Sequence, residues 1–308
     1  MNKHETTLRF AIGAALALSA SGCLPKDTRP PPSRVLFTAS PSASLASTST
    51  VTTTEDGWEL SFTRVVATIG RASLDGDSCS TYSEARYTRV LSLIGAPAHD
   101  KISESFGLGQ CDFGFAVINA ESDSLLGSTA TADDVALLRT LGTDKYAGSS
   151  GVSFYVEGRA VRGELTKTFA WKFRGRVRFE ECAELVDGDP VRGLKLQEDG
   201  DVNVDVTLAP EALFGDNLDP TLAKLRFDAV AAADTDAGDN DGEVTLDELG
   251  LVPLTTLSQG DAYTPAPELA MMYMTLEDFV YLGVSPAVAR YQGTGKCTTR
   301  PRGQGGGR

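Results

Sequence analysis

The chain has 308 residues, and its 28 Lys and Arg against 42 Asp and Glu give a formal net charge of −14 at pH 7. Such a length allows a substantial core in one large domain or two modest ones. The acidic balance argues against nucleic acid as a partner, because phosphate backbones are bound mainly by Lys and Arg. Residues 181–261 hold 20 acidic and four basic side chains, so a cation site is most expected there.

The chain begins with a short apolar run behind two basic residues. Residues 10–20 are almost all small or apolar, and Lys3 and Arg9 precede them, which is the order of a secretory leader. The 11-residue run is shorter than the roughly 20 residues that a helix needs to cross hydrocarbon. We therefore expect a leader over residues 1–22 that directs export.

The leader ends in the segment LSASGC, whose last residue is Cys23. This segment resembles the lipobox of bacterial lipoproteins, although Ala20 stands where that family usually has Leu. The resemblance implies cleavage before Cys23 and attachment of diacylglycerol to its thiol. Leu24 follows, where Asp would resemble an inner-membrane retention signal, so we expect an outer-membrane or cell-surface anchor. The alternative is an ordinary signal peptide with an incidental cysteine.

Residues 23–56 are predicted to form a lipid-anchored tether rich in Pro, Ser and Thr. This segment contains Pro25, Pro30, Pro31 and Pro32, and residues 40–54 are a tract rich in Ser, Thr and Ala. This composition offers few large apolar side chains to offset the entropy of folding. The alternative is an N-terminal strand around Val35, Leu36 and Phe37.

From Trp58 onward the polarity pattern predicts strands. Trp58, Leu60 and Phe62 alternate with polar residues at the period of a half-buried strand. Similar runs lie at 86–93, 113–118, 152–161 and 167–179, and the turn pair Asp199-Gly200 favours a hairpin over 194–208. We predict a mainly β domain over residues 57–298, β-sandwich-like or α+β, followed by a disordered basic tail over 299–308.

Helices are fewer and short. The sequence predicts them after Thr131, from Asp219-Pro220 to about Ala233, and after Thr275. A fourth is expected from Thr245 to Leu249, where Gly250 and Pro253 end it.

The segment 234–249, DTDAGDNDGEVTLDEL, resembles the calcium loop of an EF-hand. If Glu248 is the twelfth position, Gly242 falls at the sixth, and Asp241 and Asp239 fall at the fifth and third. The first position falls on Ala237, which has no ligating atom in its side chain. A loop one residue longer gives that role to Asp236.

The EF-hand resemblance implies one calcium ion held by side-chain and backbone oxygens of Asp236, Asp239, Asp241, Glu243, Thr245 and Glu248. Glu243 is expected to contribute its carbonyl and Thr245 a bound water. The short exit helix favours a structural calcium module over a sensor, and the sequence has no second loop to pair with this one. The alternative is a solvated acidic loop without a metal.

Five cysteines leave one unpaired, and lipidation of Cys23 removes the odd one. The remaining four, Cys79, Cys111, Cys182 and Cys297, predict two disulfides in an exported chain. Spacing does not decide among the three possible pairings, of which we favour Cys79 with Cys111 and Cys182 with Cys297. No zinc-type spacing of Cys and His is present.

Nothing in the sequence identifies a substrate. We therefore expect a non-enzymatic, calcium-binding structural or binding module at the envelope, anchored by lipid and able to meet a protein or glycan partner. One alternative is an envelope glycan hydrolase with paired carboxylates. Another is a copper or redox partner protein that uses His99 and the thioethers of Met271, Met272 and Met274, which otherwise would fill a core or interface.

Overall fold

A computed structural model describes residues 29–257, 262–265 and 271–301. The leader, Cys23 and the tail from residue 302 lie outside the described residues, so their predicted roles stay predictions. In the described ranges, no helix is long and apolar enough to cross a membrane.

Strands dominate the fold, as the sequence predicts. In chain order they are β1 (Ser33–Pro41), β2 (Thr52–Thr53), β3 (Glu59–Asp75), β4 (Cys79–Ser83), β5 (Thr88–Ser92), β6 (Asp100–Val117), β7 (Leu125–Leu126), β8 (Gly142–Asp144), β9 (Gly148–Ser150), β10 (Val152–Arg162), β11 (Leu165–Arg174), β12 (Val177–Val186), β13 (Asp189–Arg192), β14 (Leu194–Leu196), β15 (Asp201–Leu208), β16 (Glu243–Val244), β17 (Ala289–Tyr291) and β18 (Lys296–Pro301).

The helices are short. The α-helices are α1 (Ala132–Arg139), α2 (Asp228–Ala232), α3 (Leu246–Leu249), α4 (Leu254–Leu257) and α5 (Leu276–Asp278). Two π-helical turns (Ala233–Ala237 and Phe279–Val284) and three 3-10 turns (Ala43–Leu45, Pro210–Phe214 and Ser285–Val288) complete the helical segments. The helices after Thr131, Thr245 and Thr275 each begin with a capping box at that threonine, as the sequence predicts.

One curled sheet contains sixteen of the described strands, and its main path runs β16-β11-β10-β3-β6-β1-β15-β17. The 18-residue strand β6 pairs with β1 through its first half and with β3 and β12 through its last residues. A single long strand therefore connects the two parts of a sandwich-like sheet.

An aromatic cluster fills the core behind β11. The ring of Phe214 lies 5.2 Å from Phe169, 5.4 Å from Trp171 and 5.5 Å from Phe227, measured between centroids. All four side chains are fully buried, and full burial of a large apolar side chain contributes about 1.5–3 kcal/mol. The cluster fixes β11, and this strand in turn supports the candidate site described below.

Residues 33–41 are a buried strand, whereas the sequence analysis assigned them to the tether. β1 pairs in parallel with β15 and antiparallel with β6, and Val35 and Phe37 are fully buried. The compact unit that contains the sheet begins at Pro32. The tether prediction is therefore wrong from residue 33 onward, and the alternative strand around Val35 to Phe37 is correct. The predicted tail is also wrong for residues 299–301, which belong to β18 and pair with β12.

Three further elements differ from the sequence predictions. The single strand over 167–179 is two strands, because Gly175 adopts a φ of +87° and turns the chain between them. The hairpin over 194–208 does not form, since β14 pairs with β6 while β15 pairs with β1 and β17. The helix expected from Pro220 starts only at Asp228, because the Asp219 carboxylate accepts a hydrogen bond from Thr221 N and holds a turn there.

The disulfides join Cys79 to Cys111 and Cys182 to Cys297. The first connects β4 to β6, and the second connects β12 to β18. The favoured pairing is therefore confirmed.

Candidate metal centre

The candidate loop leaves α2 through the π-helical turn Ala233–Ala237. A π turn contains one residue more than the hydrogen-bonded ring of an α-helix, and such turns are frequent at functional sites. Within this turn Asp234 is fully buried, whereas Asp236 is exposed. The turn therefore brings Asp234 to the loop in place of Asp236.

Three carboxylates converge at the loop. Asp234, Asp239 and Asp241 each offer an oxygen within 4.8 Å of the other two. Asp239 and Asp241 were predicted ligands, whereas Asp236 lies outside this group and Asp234 is its third member. No other group of three or more His, Cys, Asp or Glu residues in the described chain has this spacing.

The two carboxylate oxygens of Asp234 have different surroundings. Oδ2 accepts a hydrogen bond from Nζ of Lys167, a side chain that is itself buried. Oδ1 is buried and has no hydrogen-bond partner. Because nearly all buried polar atoms in folded proteins are paired, and an unpaired one is costly, Oδ1 needs a further partner. A cation bound between this oxygen and the carboxylates of Asp239 and Asp241 would supply it.

The loop backbone is held by its own acidic side chains. Oδ1 of Asp239 accepts from Asp241 N at 3.2 Å, and Oδ1 of Asp241 accepts from Glu243 N at 2.8 Å. Gly242 adopts a φ of +92° between them, a left-handed conformation that glycine reaches without strain. The resemblance to an EF-hand loop predicts a sharp turn at its sixth position, and Gly242 makes a turn there.

The sheet edge supports the second half of the loop. β16 lies parallel to β11, where Thr168 N donates to the carbonyl of Gly242 at 2.8 Å and Trp171 Nε1 donates to the carbonyl of Val244 at 2.8 Å. The sheet thus provides the backbone partner that a second loop would otherwise provide. In an extended strand the N–H and C=O of one residue point to the same side. The Glu243 N–H donates to Asp241 within the loop, so we expect the Glu243 carbonyl to face the loop as well.

Thr245 and Glu248 form the N-terminal capping box of α3, the helix that follows the loop. Thr245 Oγ1 accepts from Glu248 N at 3.2 Å, and Glu248 Oε2 accepts from Thr245 N at 2.8 Å. The other oxygen, Oε1, lies 3.4 Å from Asp239 N. A Cβ added to Gly238 would lie 2.0 Å from this oxygen. Glycine at position 238 therefore allows the Glu248 carboxylate to lie against the loop backbone.

This donor set fits a hard divalent cation. Asp234, Asp239 and Asp241 carry three negative charges, and Lys167 cancels one, so the ionised group has a net charge of −2. Calcium takes six to eight oxygen ligands, of which carboxylates and backbone carbonyls are the usual protein donors. The three carboxylates and the Glu243 carbonyl would hold the ion, and the Glu248 carboxylate, whose Oε1 lies 3.4 Å from Asp239 N, would be a further donor.

His99 belongs to a separate hydrogen-bonded group. Its Nδ1 lies 3.1 Å from Oδ1 of Asp205 and 3.4 Å from Oγ of Ser40, which also donates to Asp205 at 3.0 Å. A nucleophilic triad needs the acid and the hydroxyl on opposite ring nitrogens. Here both lie at Nδ1, so this group connects β1 to β15 and lacks the geometry of a triad.

The methionine cluster does not form a comparable buried site, and neither do the adjacent carboxylates of Glu277 and Asp278. The side chains of Met271, Met272 and Met274 are exposed. Burial raises the pKa of the Glu277 carboxyl. Burial alone would also raise the pKa of Asp278, but hydrogen bonds from Lys145, Tyr146 and Thr275 outweigh it and lower that pKa. These same bonds occupy both oxygens of Asp278 in the cap of α5.

No protein-family model, curated protein or solved structure matches this chain. The functional argument therefore depends on the geometry of the site itself.

Proposed function

We propose that the chain is a lipid-anchored envelope or surface protein whose β domain binds one structural calcium ion and acts as a non-enzymatic binding or structural module. The observation that carries this proposal is the buried, unpaired Oδ1 of Asp234 beside the carboxylates of Asp239 and Asp241. Calcium would satisfy this atom and balance the net charge of the group.

The surroundings of the loop favour a structural role for the ion. A calcium sensor opens by moving two helices, but α3 has four residues and α2 has five. The loop is also bonded to β11 through its backbone and to Lys167 through Asp234. Calcium would therefore join the π turn, the loop and the sheet edge, and this rigidity would stabilise the fold without opening a groove.

The envelope location is proposed from the resemblance of residues 18–23 to a lipobox. An exported site meets higher calcium concentrations than a cytosolic one, and extracellular modules bind calcium with a Kd of about 10⁻⁴–10⁻³ M. The anchor is tested by Cys23→Ala, which should move the protein from the membrane fraction to the soluble fraction. Recovery of unmodified Cys23 from the wild-type membrane fraction by mass spectrometry would refute the anchor and leave the calcium proposal intact.

The calcium proposal is tested by titrating metal-stripped protein with calcium and, separately, with magnesium in a calorimeter. We expect one calcium per chain and much weaker magnesium binding, because magnesium requires near-ideal six-fold geometry. Calcium at about one hundred times Kd should stabilise the fold by about 2.7 kcal/mol. Absence of calcium binding at millimolar concentration would mean that the loop is a solvated acidic segment.

A further inference from the structure

A cavity of about 520 Å³ lies between the ends of β11 and β12 and the C-terminal segment 279–289. Its volume is in the range of small-molecule sites. Six aromatic side chains line it: Tyr146, Phe154, Phe173, Phe179, Tyr273 and Tyr281. Because these six rings form much of its lining, the occupant of the cavity should have an apolar body.

The aromatic wall is held in place by its own contacts. The rings of Tyr146 and Tyr281 lie 4.3 Å apart, and those of Phe173 and Tyr281 lie 5.2 Å apart, between centroids. Tyr281 donates a hydrogen bond to Asp144 at 2.7 Å. The wall is therefore formed before any ligand binds, which lowers the entropic cost of binding.

A second cavity of about 630 Å³ adjoins the first. The two share a wall that includes Phe179, Leu282, Pro286, Ala289 and Thr299. In a chain with 42 acidic residues, no described Asp or Glu lines either cavity, whereas three arginines and one lysine do. The presence of basic residues and absence of described acidic ones in these linings favours an anionic ligand over a cationic one.

Arg290 is the basic group available to such an anion. Lys296 of the same cavity is bound to Asp219 at 2.8 Å. In the described chain, the Arg290 side chain has neither an acidic partner nor a hydrogen bond, and its Nε is buried. Since buried polar atoms are nearly always paired, the unpaired Nε of Arg290 indicates a polar ligand atom in the second cavity.

We propose that the two cavities together bind an amphipathic carboxylate of fatty-acid type. Its carboxylate lies at Arg290, whose planar guanidinium suits a singly charged, planar anion. Its alkyl chain passes the shared wall and lies against the aromatic side chains of the first cavity. The inference does not depend on calcium binding, since no residue of the metal centre lines either cavity.

The test uses the full chain with Cys23→Ser, which avoids acyl groups and detergent. Laurate and dodecanol are each titrated in a calorimeter below the micelle threshold of laurate. We expect one laurate per chain and at least about tenfold weaker binding of dodecanol, because a hydrogen bond to a charged group is lost. No laurate binding, or equal affinity for the two probes, would overturn the proposal.

Two pairs of variants locate the site. Thr299→Trp places a bulky ring at an exposed position of the shared wall, and its control is Thr298→Trp, on the next residue of β18 and outside both cavities. We expect loss of laurate binding in the first and wild-type binding in the second, with circular dichroism unchanged in both. Laurate affinity that is equal in both variants would contradict the assigned position.

The second pair tests the head group. Arg290→Met should weaken laurate about tenfold or more and leave dodecanol unchanged, since only the carboxylate meets the guanidinium. Its control is Arg86→Met, which removes the same charge from a side chain that is 91% exposed. Equal losses of laurate affinity in the two variants would assign the effect to overall charge and refute the role of Arg290.

Discussion

Nζ of Lys167 donates a hydrogen bond to one carboxylate oxygen of Asp234, while the other oxygen is buried without a partner. Both side chains are buried, so the pair has lost most of its hydration. The lysine neutralises Asp234 from the side of the sheet and leaves Oδ1 directed to the loop. We infer that Lys167 keeps the calcium-free protein folded and that calcium completes the coordination of Asp234.

Lys167→Met should therefore separate the stability of the calcium-free protein from its calcium affinity. Removal of one partner leaves the Asp234 charge buried and unpaired, which typically costs about 3–5 kcal/mol. Calcium should recover much of this loss, because the variant carboxylate is no longer neutralised by a lysine. Urea unfolding in EDTA and in excess calcium measures both effects, and wild-type stability in EDTA would contradict the role given to the pair.

Glu248→Gln should weaken calcium binding and leave the calcium-free fold intact. Glutamine supports the capping box with Thr245 as glutamate does, but it lacks the negative charge next to the loop. We expect a loss of tenfold or more in calcium affinity, which corresponds to at least about 1.4 kcal/mol. Asp247→Asn, an exposed acid in the same helical turn, is the control. An equal loss of calcium affinity in the two variants would show that Glu248 acts only through the overall negative charge of the segment.

The two disulfides should differ in their contributions to stability. Cys182 and Cys297 are 115 residues apart, whereas Cys79 and Cys111 are 32 apart. In the chain-entropy account the longer loop stabilises by about 5 kcal/mol and the shorter by about 3.5 kcal/mol. Urea unfolding of the two double alanine variants compares them. A greater loss from the Cys79/Cys111 variant would show that strain or residual structure outweighs loop entropy.

Asp219 should make the free energy of unfolding depend on pH at acidic pH. The hydrogen bond from Lys296 and those from Thr221 lower its pKa to about 2, against an ordinary value of 3.8. A lowered folded-state pKa means that the stabilisation is complete above about pH 4 and disappears as the pH falls through 2. Because the carboxylate is 42% exposed, we expect less than about 1 kcal/mol.

Asp219→Asn should therefore lower stability at pH 5 and have no effect below pH 2. The side-chain oxygen of Asn can accept the same hydrogen bonds from Thr221. The difference in stability between the variant and the wild type therefore reports the charge of the Asp219 carboxylate. Urea unfolding across this pH range is the measurement, with the exposed Asp189→Asn as control. A difference that is independent of pH would attribute the effect to packing.

Local patterns predicted much of the fold, because alternation along a strand depends only on which face is buried. Residues 152–161 and the alternation from Trp58 appear in β10 and β3 almost as expected. The position of residues 33–41 did not follow from composition, because β1 owes its burial to pairing with β15, more than 160 residues later. Such non-local, parallel pairing has no signature in a single segment.

Part of the candidate site was also predictable from local sequence patterns. Spacing identified Gly242, Asp239 and Asp241, since these positions follow from the local geometry of the loop. Asp234 was missed because the π turn depends on how α2 packs. A signal did exist in β11: Lys167 has the same parity as Phe169 and Trp171, which face the core. A lysine on the buried face of a strand indicates a buried counter-charge.

The most direct test of the metal centre compares Asp234 with Asp236. Asp234→Asn combined with Lys167→Met removes the buried pair together and leaves no unpaired charge, while Asp236→Asn removes an exposed acid two residues away. Calcium titration of both metal-stripped proteins should show loss of binding in the double variant and near wild-type affinity in Asp236→Asn. Binding retained by the double variant but abolished by Asp236→Asn would contradict the assignment of Asp234 as the first ligand.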